Sequence, residues 1–394
     1  MLQRAQNLAD SLVALRRQVH RHPELGFREE QTAALASQKL AELGMAVRTG
    51  VGKTGVVGDL GTTGPCIALR ADMDALPIQE ENPVPYASSV PGVMHACGHD
   101  AHVACLLGAA QLLAEEASAG RLPGRVRFLF QPSEEAQDAE AMSGAMRMAA
   151  EGAMEGADAV AGLHVWTDLP LGTLSLRDGT MTAHPDKFEL TIEGQEAHAA
   201  FPHRGHDAIT LTAQVIQALQ TVVSRRTDPT RAKVLTIGTI QGGTKDNILA
   251  GRVVMTGTVR TFDAETREVL LAEMEQACGV ARALGGDYKL KVIPGYLPVD
   301  NDPRLTALVR QVGADLLGAG NVLEAPLEMG GEDFSYFAQS VPGCLFWLGA
   351  TTPGQPKRLH HHPHFDIDER CLPLGAALLA EIALRYLKEA SQNP

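Results

Sequence analysis

Short apolar runs alternate with helix-length stretches through the first part of the chain. The runs at 55–60, 66–70, 125–130 and 157–165 are strand-length and largely bounded by turn residues. This alternation predicts an α/β domain built on a mostly parallel sheet covered on both faces. Polar residues then fall at one end of the runs. Asp72 and Asp74 follow the second run. Glu134 and Glu135 follow the third, across Gln131-Pro132-Ser133, and His164 closes the fourth. Open α/β sheets bind ligands outside the carboxyl ends of their strands. Residues distant in sequence are therefore expected on one rim.

Helices flank this region. Residues 2–19 carry Leu8, Leu12, Leu15 and Val19 on one stripe, and a second helix is expected over 29–43, stopping at Gly44. At 394 residues the chain exceeds a usual single core. From about 183 the texture changes. A half-buried strand at 187–192 precedes a helix at 208–223, strands at 234–239 and 253–261, a helix at 264–284 and a strand at 288–293. We read this as an α+β domain of residues 183–295 inserted into an α/β domain of residues 1–182 and 296–394. The outer domain resumes with a helix at 303–317, a strand at 344–348 and a helix at 372–390.

The densest chemistry lies in His95-Ala96-Cys97-Gly98-His99-Asp100-Ala101-His102. Five groups that bind metals or move protons occupy these eight residues. Cys97 and His99 flank a glycine that lets both face one point. Asp100 precedes an apolar run, where a helix N-cap belongs. A net charge of −13 and 4% aromatic residues argue against nucleic acid and anionic membranes as partners. No apolar stretch reaches spanning length, and no signal-peptide pattern opens the sequence. Six scattered cysteines without a CxxC pair read as reduced thiols of a cytoplasmic protein.

Cys97, His99, Glu135, His164 and a histidine from 360–362 make a mixed S/N/O donor set. It suits zinc, manganese, cobalt or nickel better than magnesium or calcium. The donors suffice for two ions if one bridges, an arrangement used for hydrolysis. Side chains of neighbouring residues in extended chain point opposite ways. One of Glu134 and Glu135 can thus ligate while the other acts on water, and spacing alone does not say which. Each residue also has a plain alternative. Adjacent glutamates are usually a solvated face, His164 can be a satisfied core histidine, the tract 360–364 a polar loop, and Cys97 a small buried hydrophobe. Their placement together at strand ends favours the metal.

Several motifs resemble one family. They are Leu69-Arg70-Ala71-Asp72-Met73-Asp74-Ala75-Leu76-Pro77, the run from Pro91 through His102, Gln131-Pro132-Ser133-Glu134-Glu135, His22-Pro23-Glu24-Leu25-Gly26, Met329-Gly330-Gly331-Glu332-Asp333-Phe334 and His361-His362-Pro363-His364-Phe365. Together they resemble the aminoacylase and carboxypeptidase family of two-metal metallopeptidases, in its amidohydrolase branch of hippurate hydrolases, N-acyl-amino-acid aminoacylases and auxin-conjugate hydrolases. The resemblance implies a zinc-peptidase-like catalytic domain and an inserted lid domain that forms a homodimer or a higher oligomer. It implies Cys97, His99, Glu135, His164 and a C-terminal histidine as ligands, and Glu134 as general base. Three histidines precede Pro363 here; His361, two before the proline, is the one chosen, with His360 and His362 as the alternatives. Gly194 through His203 resembles a lid motif whose first histidine, His198, binds the substrate carbonyl. Gly242-Gly243-Thr244-Lys245-Asp246-Asn247 resembles a turn whose asparagine, Asn247, also reaches substrate. The implied substrate is a small N-acyl amino acid. A carboxypeptidase or dipeptidase of the same fold, a metal-free Cys–His amidase using Cys97, and a non-catalytic metal-binding protein are the alternatives.

Overall fold

The computed structural model describes residues 1–352, 354 and 357–392. It divides into two compact units. One comprises Met1–Met181, Val299–Pro326 and Asp333–Pro394; the other comprises Thr182–Pro298 and Leu327–Glu332. Along the chain the strands are β1 (Ala46–Val51), β2 (Gly55–Leu60), β3 (Cys66–Asp72), β4 (Arg125–Gln131), β5 (Ala159–Pro170), β6 (Leu174–Leu176) and β7 (Gly179–Thr180). There follow β8 (His184–Glu193), β9 (Lys233–Gly242), β10 (Arg252–Thr261), β11 (Asp287–Ile293), β12 (Asp300–Asn301), β13 (Val322–Glu324) and β14 (Gly343–Thr351).

The first unit is an α/β domain around an eight-stranded sheet in the order β1-β2-β4-β3-β5-β14-β6-β13. The pairs β3–β4, β3–β5, β5–β14 and β6–β13 are parallel; β1–β2, β2–β4 and β6–β14 are antiparallel. The continuous apolar runs are explained by burial on both faces. Ile67, Leu69 and Ala71 of β3 enter one core, and Cys66 and Ala68 enter another on the opposite face. Because β3, β4 and β5 are parallel neighbours, Asp72, Gln131 and the chain beyond them emerge on one rim.

Helices Leu2–Gln6 (α1), Ala9–Arg21 (α2), Glu30–Glu42 (α3) and His99–Ser118 (α4) precede β4, and a long helix, Cys371–Gln392, closes the chain. The helix expected over 2–19 is two helices, separated at Asn7–Leu8. Asp100, the expected N-cap of α4, does not cap it. Gly98 takes that place with φ +97°, and Asp100 lies in the first turn. Only glycine suits position 98: besides its positive φ, a Cβ there would stand 2.3 Å from Val165 Cγ2. The polar end of β5 also extends further than expected, to Pro170.

The second unit is a four-stranded antiparallel sheet in the order β11-β8-β10-β9. Helices Ala208–Thr221 and Ala264–Cys278 cover it, packing Leu211, Val215, Leu270 and Met274 against Leu190, Val253 and Met255. The helix expected over 264–284 breaks at Gly279. β9 forms one edge of the sheet, with Ile240 exposed. Among the described residues no helix is long and apolar enough to cross a membrane.

Candidate metal centre

Three segments of the first unit meet at the rim: the start of α4, the loop after β4, and β5, joined by the histidine tract near the C-terminus. Cys97, His99 and His164 place one donor atom each within 4.8 Å of one another. So do Cys97, Glu135 and His361, and so do His99, Glu134 and Glu135. The structure thus brings together Cys97, His99, Glu134, Glu135, His164 and His361.

Hydrogen bonds fix which ring nitrogen each histidine presents. A carbonyl only accepts, so His99 Nδ1, 2.8 Å from Asp74 O, must donate. His164 Nδ1 likewise donates to Val165 O at 2.7 Å. Both rings therefore turn Nε2 into the cluster. His164 Nε2 lies 3.5 Å from Cys97 Sγ, and His99 Nε2 is buried with no hydrogen-bond partner among the described residues. Glu135 Oε1 is also buried without a hydrogen bond, although His361 Nε2 stands 2.8 Å away. Two close but unaligned polar atoms are what ligands aimed at a common third point look like.

His102 is excluded from this role. Its Nε2 accepts from Val165 N at 2.9 Å and its Nδ1 donates to Asp72 at 2.6 Å, so both nitrogens are used. His360 is similar: Nε2 accepts from Thr167 N at 3.3 Å, the ring packs 4.9 Å from Trp166, and Nδ1 stands 3.9 Å from Cys97 Sγ. His362 Nδ1 accepts from His364 N at 3.1 Å in an exposed turn. His361 alone of the tract reaches Glu135. It adopts φ +58°, and its N–H donates to Ala96 O at 2.8 Å, beside Cys97.

Asp74 organises the centre, a role that sequence reasoning did not assign. Its Oδ1 accepts from Glu134 N and its Oδ2 from Glu135 N, each at 3.0 Å, while its main-chain oxygen orients His99. Asp72 is held in turn by Arg70 at 2.6 Å, and Arg70 also donates to Gln131 and Asp333. The signal was the pair of aspartates just past a buried strand, with an arginine inside that strand.

The electrostatics call for a cation. Burial works against a charged His99, yet the carboxylates of Asp72, Asp74 and Glu135 hold its pKa at about 10. Burial and the charges of Glu135, Glu134 and Asp72 push the Cys97 thiol well up. Burial, with His102 and His360 nearby, keeps His164 neutral by pushing it well down. An ion would take the place of the His99 proton and lower the thiol. Soft sulfur, imidazole and carboxylate donors together fit a divalent transition metal.

His198 and Asn247 lie in the second unit, on adjoining segments. His198 bridges to Ile248, and Ala199 N donates to Asn247 O at 3.0 Å. His198 Nδ1 accepts from Ala200 N at 3.0 Å, which leaves Nε2–H as a donor.

Residues 68–385 match the model of peptidase family M20/M25/M40. The chain is 42% identical to N-acetyl-L-cysteine deacetylase of Bacillus subtilis (strain 168), over 98% of this chain and 90% of that protein. It is 37% identical to IAA-amino acid hydrolase ILR1-like 5 of Arabidopsis thaliana, over 100% of this chain and 90% of that one. The crystal structure of the Bacillus subtilis YXEP protein, described as a dinuclear metal binding peptidase from the M20 family, superposes with a TM-score of 0.83 at 34% identity, covering 97% of this chain and 99% of that one.

Proposed function

We infer that this chain, which belongs to peptidase family M20/M25/M40 and is a metal-dependent hydrolase of amide bonds, cleaves N-acyl amino acids to a carboxylic acid and a free amino acid. The reading rests above all on one observation: the buried His99 Nε2, 3.7 Å from Asp72 and without a hydrogen bond among the described residues, stands among sulfur, imidazole and carboxylate donors. Cys97, His99, Glu135, His164 and His361 hold the metal. Cys97 and Glu135 each belong to two of the donor groups and His99 to three, which supports two ions, drawn from zinc, manganese, cobalt or nickel. Bound there, such ions supply Lewis acidity to the amide carbonyl and acidify water. Glu134 takes the proton from the attacking water and delivers it to the leaving nitrogen.

In the second unit, the Nε2–H of His198 donates to the carbonyl oxygen as negative charge builds on it, and Asn247 helps to hold the substrate. A homodimer forms through the inserted unit, where β9 presents an open edge and Ile240 an exposed apolar side chain.

The test is a panel of N-acetyl, N-benzoyl and other N-acyl amino acids alongside dipeptides, scored for free amine with added manganese, cobalt or zinc. Release from N-acyl amino acids should vanish with a chelator and return with the ion. Faster release from dipeptides would make the chain a dipeptidase. Hydrolysis that survives chelation would point to the Cys97 thiol instead.

A further inference from the structure

The roles of Glu134 and Glu135 depend on the backbone beneath them. After β4 the chain turns at Ser133 with φ +43°, a left-handed conformation costly for a residue with a Cβ. Ser133 O accepts from Gly144 N at 3.0 Å and its hydroxyl donates to Ala136 O at 3.0 Å, while its N–H is held by Glu29. Ser133 N donates to Glu29 Oε1 at 2.8 Å. The same oxygen accepts from Phe27 N at 3.0 Å, and Phe27 is also left-handed, with φ +60°. The other oxygen of Glu29 accepts from the Thr54 hydroxyl, in the turn between β1 and β2. Glu29 is fully buried and ties three separate segments together. Gly26 approaches so closely that a Cβ there would stand 2.3 Å from Ser133 Oγ.

We propose that Glu29 is a positioning residue of the hydrolase, whose side chain sets the turn at Ser133 and so aims Glu134 and Glu135 into the metal centre. Asp74 grips the loop from one side through the N–H groups of Glu134 and Glu135; Glu29 grips it one residue earlier through Ser133. Two strained residues sharing one acceptor place the cost of a lost contact in the loop that carries the base. The inference rests on the roles given above to Glu134 and Glu135. What matters is the acceptor geometry. Burial and the charge of Asp74 push the Glu29 carboxyl up to about 7, so a neutral amide is a fair replacement near neutrality.

The experiment compares Glu29→Ala and Glu29→Gln with wild type. Metal affinity is read on purified protein by competition with a chromogenic chelator, without substrate. kcat and KM are then measured at saturating manganese on an N-acetyl amino acid. Glu29→Ala should bind metal about tenfold more weakly and lose about 10–100-fold in kcat, with KM changed less than about threefold. Glu29→Gln should recover both to within about threefold, since its carbonyl still accepts from Phe27 and Ser133 and its NH2 faces the Thr54 oxygen. Glu29→Ala protein that folds and keeps metal affinity and kcat within about twofold overturns the proposal, as does equal impairment of the Ala and Gln variants. If Glu29→Ala fails to fold, Gly26→Ala displaces Ser133 with Glu29 intact; unchanged metal affinity there overturns it equally. A wild type inactive on every N-acyl amino acid sinks the substrate reading alone, because the metal-affinity arm does not use one.

Discussion

Two clusters of buried polar side chains share the first turn of α4, and they balance charge in opposite ways. Asp100 meets Arg16 Nε at 2.6 Å and His20 Nδ1 at 2.8 Å. Arg16 continues to Asp366 at 2.9 Å and Glu369 at 3.2 Å, and His20 Nε2 faces Glu80 at 3.3 Å. The cations of this cluster are parts of the chain. One residue earlier, His99 opens onto Glu134, Glu135 and Cys97, and its Nε2 makes no hydrogen bond among the described residues. Both clusters are buried, so burial does not distinguish them. The source of the cation does: one, the closed cluster, holds a guanidinium of the chain, although Asp100 Oδ1 has no hydrogen bond among the described residues, and the other, the open cluster, gathers acids and lone pairs that suit an added cation.

The largest effect should come from the open cluster. Glu134→Gln should lower kcat by about 10²–10⁴-fold, the usual worth of a general base, while metal content stays at the wild-type level. Near-full activity would refute the role. Metal lost along with activity would mean that Glu134 and Glu135 exchange roles. The closed cluster should respond in stability instead. Arg16→Met removes the buried guanidinium shared by Asp100, Asp366 and Glu369, leaving them only His20, Arg358 and Arg17, and should cost about 3–5 kcal/mol in urea unfolding. His361→Ala in metal-free protein should cost less than about 1 kcal/mol, since its side chain is half exposed, yet it should weaken metal binding about 10–100-fold. If His361→Ala destabilises the metal-free protein as much as Arg16→Met does, the contrast between the clusters is false.

Much of the open cluster was readable because its chemistry is local to strand ends. The Cys97-Gly98-His99 spacing, the paired glutamates after β4 and the histidine in β5 converge simply because β3, β4 and β5 run parallel. The closed cluster was not readable. Asp100 looked like a helix cap because its partner, Arg16, lies 84 residues away and periodicity carries no record of long-range ion pairs. Glu29 was hidden for the same reason, its acceptors being spent on Phe27, Thr54 and Ser133. The break between α1 and α2 also escaped, since the apolar stripe continues across it. So did the strand β1, mostly exposed at the sheet edge, where no continuous apolar run marks it. The segment Leu327–Glu332 belongs to the second unit by packing although it lies some thirty residues beyond the main insertion, which no composition shift announces.

The smallest effect concerns His20 and turns on pH. Burial and neighbouring Arg16 push its pKa down, but Asp100 and Glu80 outweigh them and raise it above the ordinary 6.5. The other groups facing it do not compete for the proton: burial drives His95 down to about 3, and Tyr86 is pushed up to about 12. A histidine whose pKa is higher folded than unfolded gives stability that is fully present below the unfolded value. That stability is lost as pH rises through the folded value. His20→Leu should therefore cost about 1.5–3 kcal/mol at pH 5.5, the range for hydrogen bonds to charged groups, and distinctly less at pH 9. Urea unfolding of both proteins at the two pH values reads the gap directly. A gap that widens with pH would mean that His20 is neutral in the fold and that Arg16 alone closes the cluster. Added manganese should stabilise wild type and His20→Leu by the same amount, because a ligand stabilises only through the site it binds. A manganese shift that differs between the two would show the clusters coupled through the first turn of α4, with His99 answering to the charge beside Asp100.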